Sequence, residues 1–146
     1  MTTRQHGFSL IELMITVVIL GILGTFAFSG YQNQVRQTKR ADCGGALVSM
    51  SQAMERFYSV NNTYEGAAAG GNDTGAPAIF PTSCPLDSGN PSYNLTIANA
   101  NPSTFLLQAT PTGGQVDDEC GSLTLSNTGA KNVTNAAAGV TWDECW

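Results

Sequence analysis

Residues 10–28 form an almost unbroken apolar run, LIELMITVVILGILGTFAF, with one charge in it, Glu12. Further on, the apolar positions become periodic. Cys43, Leu47, Met50, Met54 and Phe57 follow one another at steps of 4, 3, 4 and 3, which is one face of a helix. Ser49, Gln52, Glu55, Arg56 and Ser59 mostly take the other faces. No proline occurs between Phe8 and Tyr58, so the pattern predicts one long helix over 8–58, about 77 Å at 1.5 Å per residue. Asn61-Asn62-Thr63-Tyr64 ends it. Residues 65–83 are rich in Gly, Ala, Pro and Asn, lack periodicity, and read as a long irregular connection. Alternation then predicts strands over 92–98, 104–110 and 122–126, punctuated by Pro102-Ser103 and Pro111-Thr112-Gly113-Gly114. The fold class is α+β: a long N-terminal helix whose amphipathic half packs on a small antiparallel sheet of three or four strands. The Met50/Met54/Phe57 stripe is core packing.

The apolar run is long enough to span a bilayer. Nineteen residues as a helix cover about 28 Å, close to the hydrocarbon thickness. Ala27-Phe28-Ser29 is a poor match to an ordinary signal-peptide cleavage site. The leader carries Arg4 and His6, which places the N-terminus in the cytoplasm and the rest outside. Glu12 is the anomaly. A carboxylate in a spanning helix costs on the order of 2.5–3.5 kcal/mol and calls for a partner. Closeness to the interface lowers that cost but supplies no use for the charge. Gly21, Gly24 and Gly30 interrupt the run; small residues permit close helix packing in an apolar medium.

Composition sharpens the division. Charged residues are only 12% of the 146, and the net charge is −5. Past Cys43 two basic residues, Arg56 and Lys131, face nine acids, a balance of −7. This excludes a disordered polyelectrolyte and a basic nucleic-acid domain. Arg36, Lys39 and Arg40 cluster before the head, facing phospholipid, solvent or a neighbouring subunit. The cysteines are Cys43, Cys84, Cys120 and Cys145, with no C-x-x-C and one distant histidine, so no zinc site is expected. Four cysteines in a small exported head favour two disulfides, the alternative being four free buried thiols. Three pairings are possible; the one adopted is Cys43–Cys84 with Cys120–Cys145. The second closes a loop of about 25 residues, worth roughly 3–4 kcal/mol.

Gly7-Phe8-Ser9-Leu10-Ile11-Glu12 followed by an apolar helix resembles the class III signal sequence of type IV pilins and pseudopilins. The resemblance implies that a prepilin peptidase cuts after Gly7 and methylates the new N-terminus, Phe8. It also implies a partner for Glu12, the Phe8 amine of a neighbouring subunit. In a low-dielectric fibre core a misregistered subunit leaves both charges unpaired, so the pair acts as a register check. The implied domains are a leader over 1–7, a transmembrane and fibre-core helix over 8–30, and a periplasmic or extracellular head over 31–146. Family members often have a proline in the apolar stretch; its lack here weakens the expectation of a sharp kink and leaves local helix melting between the glycines open. Met54-Glu55-Arg56-Phe57-Tyr58, Tyr93-Asn94-Leu95-Thr96-Ile97, Cys120-Gly121-Ser122-Leu123-Thr124-Leu125 and Cys145-Trp146 extend the resemblance to the type IVa pilins. Among them the chain is most like the PilE-type minor pilins. By that resemblance, the segment enclosed by Cys120 and Cys145 is a variable exposed surface.

The function expected is therefore a structural subunit of a type IV pilus, a minor pilin supporting assembly, twitching motility, adhesion and DNA uptake. Its partners are other pilin subunits, the prepilin peptidase, the inner-membrane assembly machinery and, before assembly, the membrane itself. It sits as a single-pass inner-membrane protein before it joins the extracellular fibre. Major pilin, DNA-binding competence receptor and type II secretion pseudopilin are the alternatives. Direct nucleic-acid binding is disfavoured, because phosphates are neutralised by Lys and Arg and the head has few. No enzyme motif is present, and neither a cofactor nor a metal is expected. Asp117-Asp118-Glu119, the one carboxylate cluster, reads as a solvated turn, with a calcium loop as its alternative.

Overall fold

The computed structural model describes residues 9–86 and 89–146. It has one long helix, a five-stranded sheet and a short closing helix. The chain divides into two compact units, Met1–Val35 and Arg36–Trp146. Helix α1 runs Leu10–Asn61 and is continuous through all its glycines. It stops where Asn62 takes a left-handed φ of 55°, while its amide still bonds to the Tyr58 carbonyl at 2.7 Å. Asparagine reaches that conformation at lower cost than most residues, which makes it a natural helix stop.

In the first unit the large apolar side chains from Leu10 to Leu23 are 50–78% exposed. In the second unit α1 buries Cys43, Leu47, Met50 and Met54 of the 4-3-4-3 stripe together with Ala46 and Ala53, and half-buries Phe57. The sheet that covers it is an antiparallel meander in which neighbours in sequence are neighbours in space. Its strands are β1 (Ser83–Cys84), β2 (Tyr93–Ala100), β3 (Phe105–Pro111), β4 (Ser122–Ser126) and β5 (Lys131–Thr134). Tyr93, Leu95 and Ile97 from β2, Phe105, Leu107 and Ala109 from β3, and Leu123 and Leu125 from β4 fill the core. Each leucine, isoleucine or phenylalanine among them contributes about 1.5–3 kcal/mol by leaving water.

The sheet therefore exceeds the three or four strands expected from alternation. A bulge between Ile97 and Asn99 shifts the register, so the buried position after Ile97 is Ala100. The bulge carries β2 past its expected end at residue 98. The connection after α1 is also more ordered than its composition suggests. Gly75 and Ile97 exchange backbone hydrogen bonds of 2.9 and 2.8 Å, and Tyr64, Ala67 and Ala68 are buried. Part of this segment thus pairs with β2 as an extension of the sheet.

Two disulfides clamp the second unit. Cys43 joins Cys84, with Cα atoms 5.5 Å apart, and ties α1 to β1. Cys120 joins Cys145, with Cα atoms 5.8 Å apart, and ties the entry of β4 to the closing helix α2, Trp142–Cys145. Beside the second bridge Gly121 has φ +58°, and a Cβ there would stand 2.5 Å from the carbonyl oxygens of Thr134 and Asn135. Only glycine fits. Helix α2 opens on Thr141 in a capping box with Glu144, which satisfies two otherwise orphaned amides.

Candidate functional site

Glu12 stands in the first turn of α1, exposed, amid the exposed apolar side chains of the first unit. Thr16 and Thr25 turn their hydroxyls back onto the Leu13 and Ile22 carbonyls at 2.9 and 2.7 Å, so they add little polarity to the surface. A Cβ at Gly21, Gly24 or Gly30 meets nothing within 4 Å; among the described residues no contact calls for these glycines. So large an apolar surface requires an apolar surrounding, whether lipid or other helices. The helix is long and apolar enough to cross a membrane. Gly7 and Phe8 lie outside the described residues, as do Arg4 and His6.

The second group of chemically notable side chains is inside the head. Arg40 is buried and donates from Nε to Asp118 Oδ2 at 3.0 Å and from Nη2 to Asp118 Oδ1 at 2.6 Å. This is a two-pronged, charge-assisted contact. The Tyr93 hydroxyl donates to the same carboxylate at 2.8 Å, and the Gln115 amide donates to it at 3.2 Å. Gln115 also donates to the Arg36 carbonyl at 3.0 Å. Burial pushes the Asp118 carboxyl up, but the hydrogen bonds from Arg40 and Tyr93 and the guanidinium charge outweigh it and hold Asp118 below the usual carboxylate range. Burial, and then the bond to Asp118, hold the Tyr93 phenol above its ordinary range. The arrangement fastens α1, β2 and the 113–119 turn to one another.

This corrects two sequence expectations. Arg40 does not belong to a membrane-facing or solvated collar: it is a core residue. Arg36 beside it is half-buried and reaches the Asp117 carbonyl at 3.4 Å. Asp117-Asp118-Glu119 is neither a calcium loop nor a wholly solvated turn, since its middle carboxylate is committed to Arg40. Among the described residues no group of three His, Cys, Asp or Glu is placed to hold a metal. A signal for the ion pair does exist in the sequence. Arg36 and Arg40 extend the stripe of Cys43 and Leu47 backward at steps of 4 and 3.

The third region is the loop between Cys120 and Cys145. Trp146 lies against Gly44 of α1, where a Cβ would meet its ring carbons at 3.4 Å. Its indole N–H donates to the Asn132 carbonyl at 3.0 Å, and the Lys131 ammonium sits 5.0 Å from the ring centroid. A groove of about 240 Å³ opens beside it, with Gly45 and Val48 in its lining.

Residues 2–28 match the family described as "Prokaryotic N-terminal methylation motif". Residues 29–124, well over half of the chain, match the family described as "Type IV minor pilin ComP, DNA uptake sequence receptor". The chain is 35% identical over 68 residues to the fimbrial protein EcpC of Eikenella corrodens, covering 45% of this chain and 44% of that one. It is 30% identical over 67 residues to the type II secretion system core protein G of Pectobacterium carotovorum, covering 46% and 43%. These matches span a little under half the length of the curated relatives. Its fold is that of the non-core minor pilin PilV of Neisseria meningitidis, with a TM-score of 0.51 at 24% identity over 71% of this chain and 93% of that one.

Proposed function

Because the chain belongs to the type IV minor pilin family that its residues 29–124 match, we propose that it is a minor subunit of a type IV pilus, held in the fibre by α1. The observation that carries this reading is the exposed apolar surface of α1 from Leu10 to Leu23, with one carboxylate, Glu12, in the first turn. The methylation motif over 2–28 supports processing after Gly7 and methylation of Phe8 by a prepilin peptidase. In this reading the precursor is a single-pass inner-membrane protein with its leader in the cytoplasm, and the assembly machinery lifts it into the fibre. Glu12 pairs with the Phe8 amine of a neighbour. The pair sets register more than it adds stability, because two unpaired charges in a dry core are costly. The role is structural and the reading assigns no catalysis. Glu12→Ala is expected to insert into the membrane normally and to be depleted from sheared pili; wild-type amounts in the fibre would sink the reading. Copy number in purified fibres separates a minor subunit from a major one.

A second reading, DNA capture during uptake, is favoured by the family description. The electrostatics oppose it. Arg40 is consumed by Asp118, the half-buried Arg36 is turned to the Asp117 carbonyl, and the head otherwise offers Arg56, Lys131 and the half-buried Lys39. Neutralising two or three phosphates gives a salt slope of only about −2 to −3 in log K against log salt. A gel shift of the full chain in detergent at low salt decides between them. Weak binding is expected; tight binding with a steeper slope would put DNA capture first.

A further inference from the structure

In the second unit α1 is gripped first by polar contacts and only then by the apolar core. Among the described side chains, Arg40 is the first on α1 to be buried, and Cys43 is the first apolar one. From Arg36 to Asp42 no apolar side chain is buried. The 113–119 turn reaches this stretch three times instead. The Gln115 amide donates to the Arg36 carbonyl at 3.0 Å, the Arg36 guanidinium donates to the Asp117 carbonyl at 3.4 Å, and Arg40 makes its two-pronged pair with Asp118.

Left to itself, the stretch is a poor helix. Arg36, Lys39 and Arg40 stand at i, i+3 and i+4, and like charges at those spacings repel. Among the described residues Arg40 alone of the three has an ion-pair partner, and Arg36 Nε is buried without an acceptor. Thr38 and Asp42 are weaker helix formers than alanine, and Gly44 and Gly45, which follow at once, are weaker still. Helix propagation is cooperative, so the glycine pair also weakens the spread of helical order from the packed residues beyond it.

We propose that the 113–119 turn is a clasp on which the helical state of residues 36–42 depends, and that opening it frees them as far as Cys43 while the rest of the head stays folded. Cys43 is the next stop, because its side chain is buried and its sulfur is tied to Cys84. The clasp thus decides how much of α1 belongs to the head. Drawn out, residues 36–42 span about 13 Å more than they do as helix. The proposal stands whether or not the chain is a fibre subunit.

Backbone amide exchange on the full chain in detergent, followed by mass spectrometry, tests it. In wild type, amides 37–43 should exchange faster than 47–57, because opening the clasp costs less than unfolding the head. In Asp118→Asn, 37–43 should reach the rate of unstructured chain, a gain of at least about a hundredfold, while 47–57 stay slower than that rate by at least about a hundredfold. Gln115→Leu spares the ion pair and should speed 37–43 by about five- to tenfold. Arg40→Met with Asp118→Leu should bring 37–43 back to within about tenfold of wild type, since it removes the repulsion and strands no charge. Peptide mapping of the Cys43–Cys84 and Cys120–Cys145 bridges shows that each variant's head has closed. Residues 37–43 and 47–57 exchanging as one unit overturns the clasp, and so does protection of 37–43 that survives Asp118→Asn. If Asp118→Asn does not fold, wild type and Gln115→Leu decide: a common rate for the two segments, or no gain at 37–43 in Gln115→Leu, overturns it.

Discussion

The ion pair between Arg40 and Asp118 offers the sharpest test of how the head is held together. Asp118→Asn keeps the volume of the side chain and one carbonyl oxygen. It removes the charge and replaces the second oxygen with an N–H₂ group that faces the guanidinium donors. Arg40, 6% exposed, is then a buried cation without a counter-charge. Breaking a buried pair in this way costs about 3–5 kcal/mol. For a head of this size each kcal/mol moves the melting temperature by roughly 4 °C, so a drop of about 12–20 °C is expected. Both tryptophans, Trp142 and Trp146, lie in the head, and their fluorescence follows its unfolding in the full chain in detergent. The pH dependence supplies a second check. Asp118 titrates lower folded than unfolded, so its contribution is complete above the ordinary value of about 4 and is lost as pH falls through the depressed one. The difference between wild type and variant should be flat near neutrality and shrink in acid. A double change, Arg40→Met with Asp118→Leu, should cost less than Asp118→Asn, because no charge is stranded. The reasoning is refuted if Asp118→Asn melts within about 2 °C of wild type, which corresponds to under 1 kcal/mol.

Two further changes probe the backbone and the aromatic cluster. Gly121→Ala should be severely destabilising, because the new Cβ lands 2.5 Å from two backbone oxygens at φ +58°. Gly129→Ala, at φ +78° with open space around it, should cost only the left-handed strain of about 1–2 kcal/mol; denaturant melts compare the pair. Burial, and then the 2.9 Å bond to Glu55, push the Tyr64 hydroxyl up to about 12. Its contribution should be complete below pH of about 10 and be lost as pH rises through 12. An absorbance titration of wild type against Tyr64→Phe should show the missing phenol among the latest to ionise.

Much of the fold is legible in the sequence because burial leaves a period. Cys43, Leu47, Met50 and Met54 could be read as one helix face, and Tyr93, Leu95 and Ile97 as one strand face, without any coordinates. Strand β5 could not. Lys131-Asn132-Val133-Thr134 places only Val133 half in the interior, and its backbone pairing with β4 leaves no alternation to detect. Strand β1, two residues long, is too short for any pattern. The polar cluster was missed for a different reason. Asp118 lies 78 residues from Arg40, and a run of charges reads by default as a solvated surface. The position of Arg40 on the apolar stripe was the clue that outranked its charge. Glu12 was conspicuous because a lone carboxylate breaks an otherwise uniform apolar run.

The consecutive strand order has a consequence for how the chain reaches its native state. Every pairing among β1 to β5 is between neighbours in sequence, and turns such as 101–104 and 127–130 close cheaply, so each hairpin can form on local information. The helix face has no such recourse. Cys43 waits 41 residues for Cys84, and Arg40 waits longer for Asp118. In a chain made from its N-terminus, the apolar stripe of α1 is synthesised before any strand that will cover it. Residues 43–57 are thus the segment most open to misassociation during biogenesis. Of these elements, α2 with Cys145 follows all the strands in the chain and seals the head.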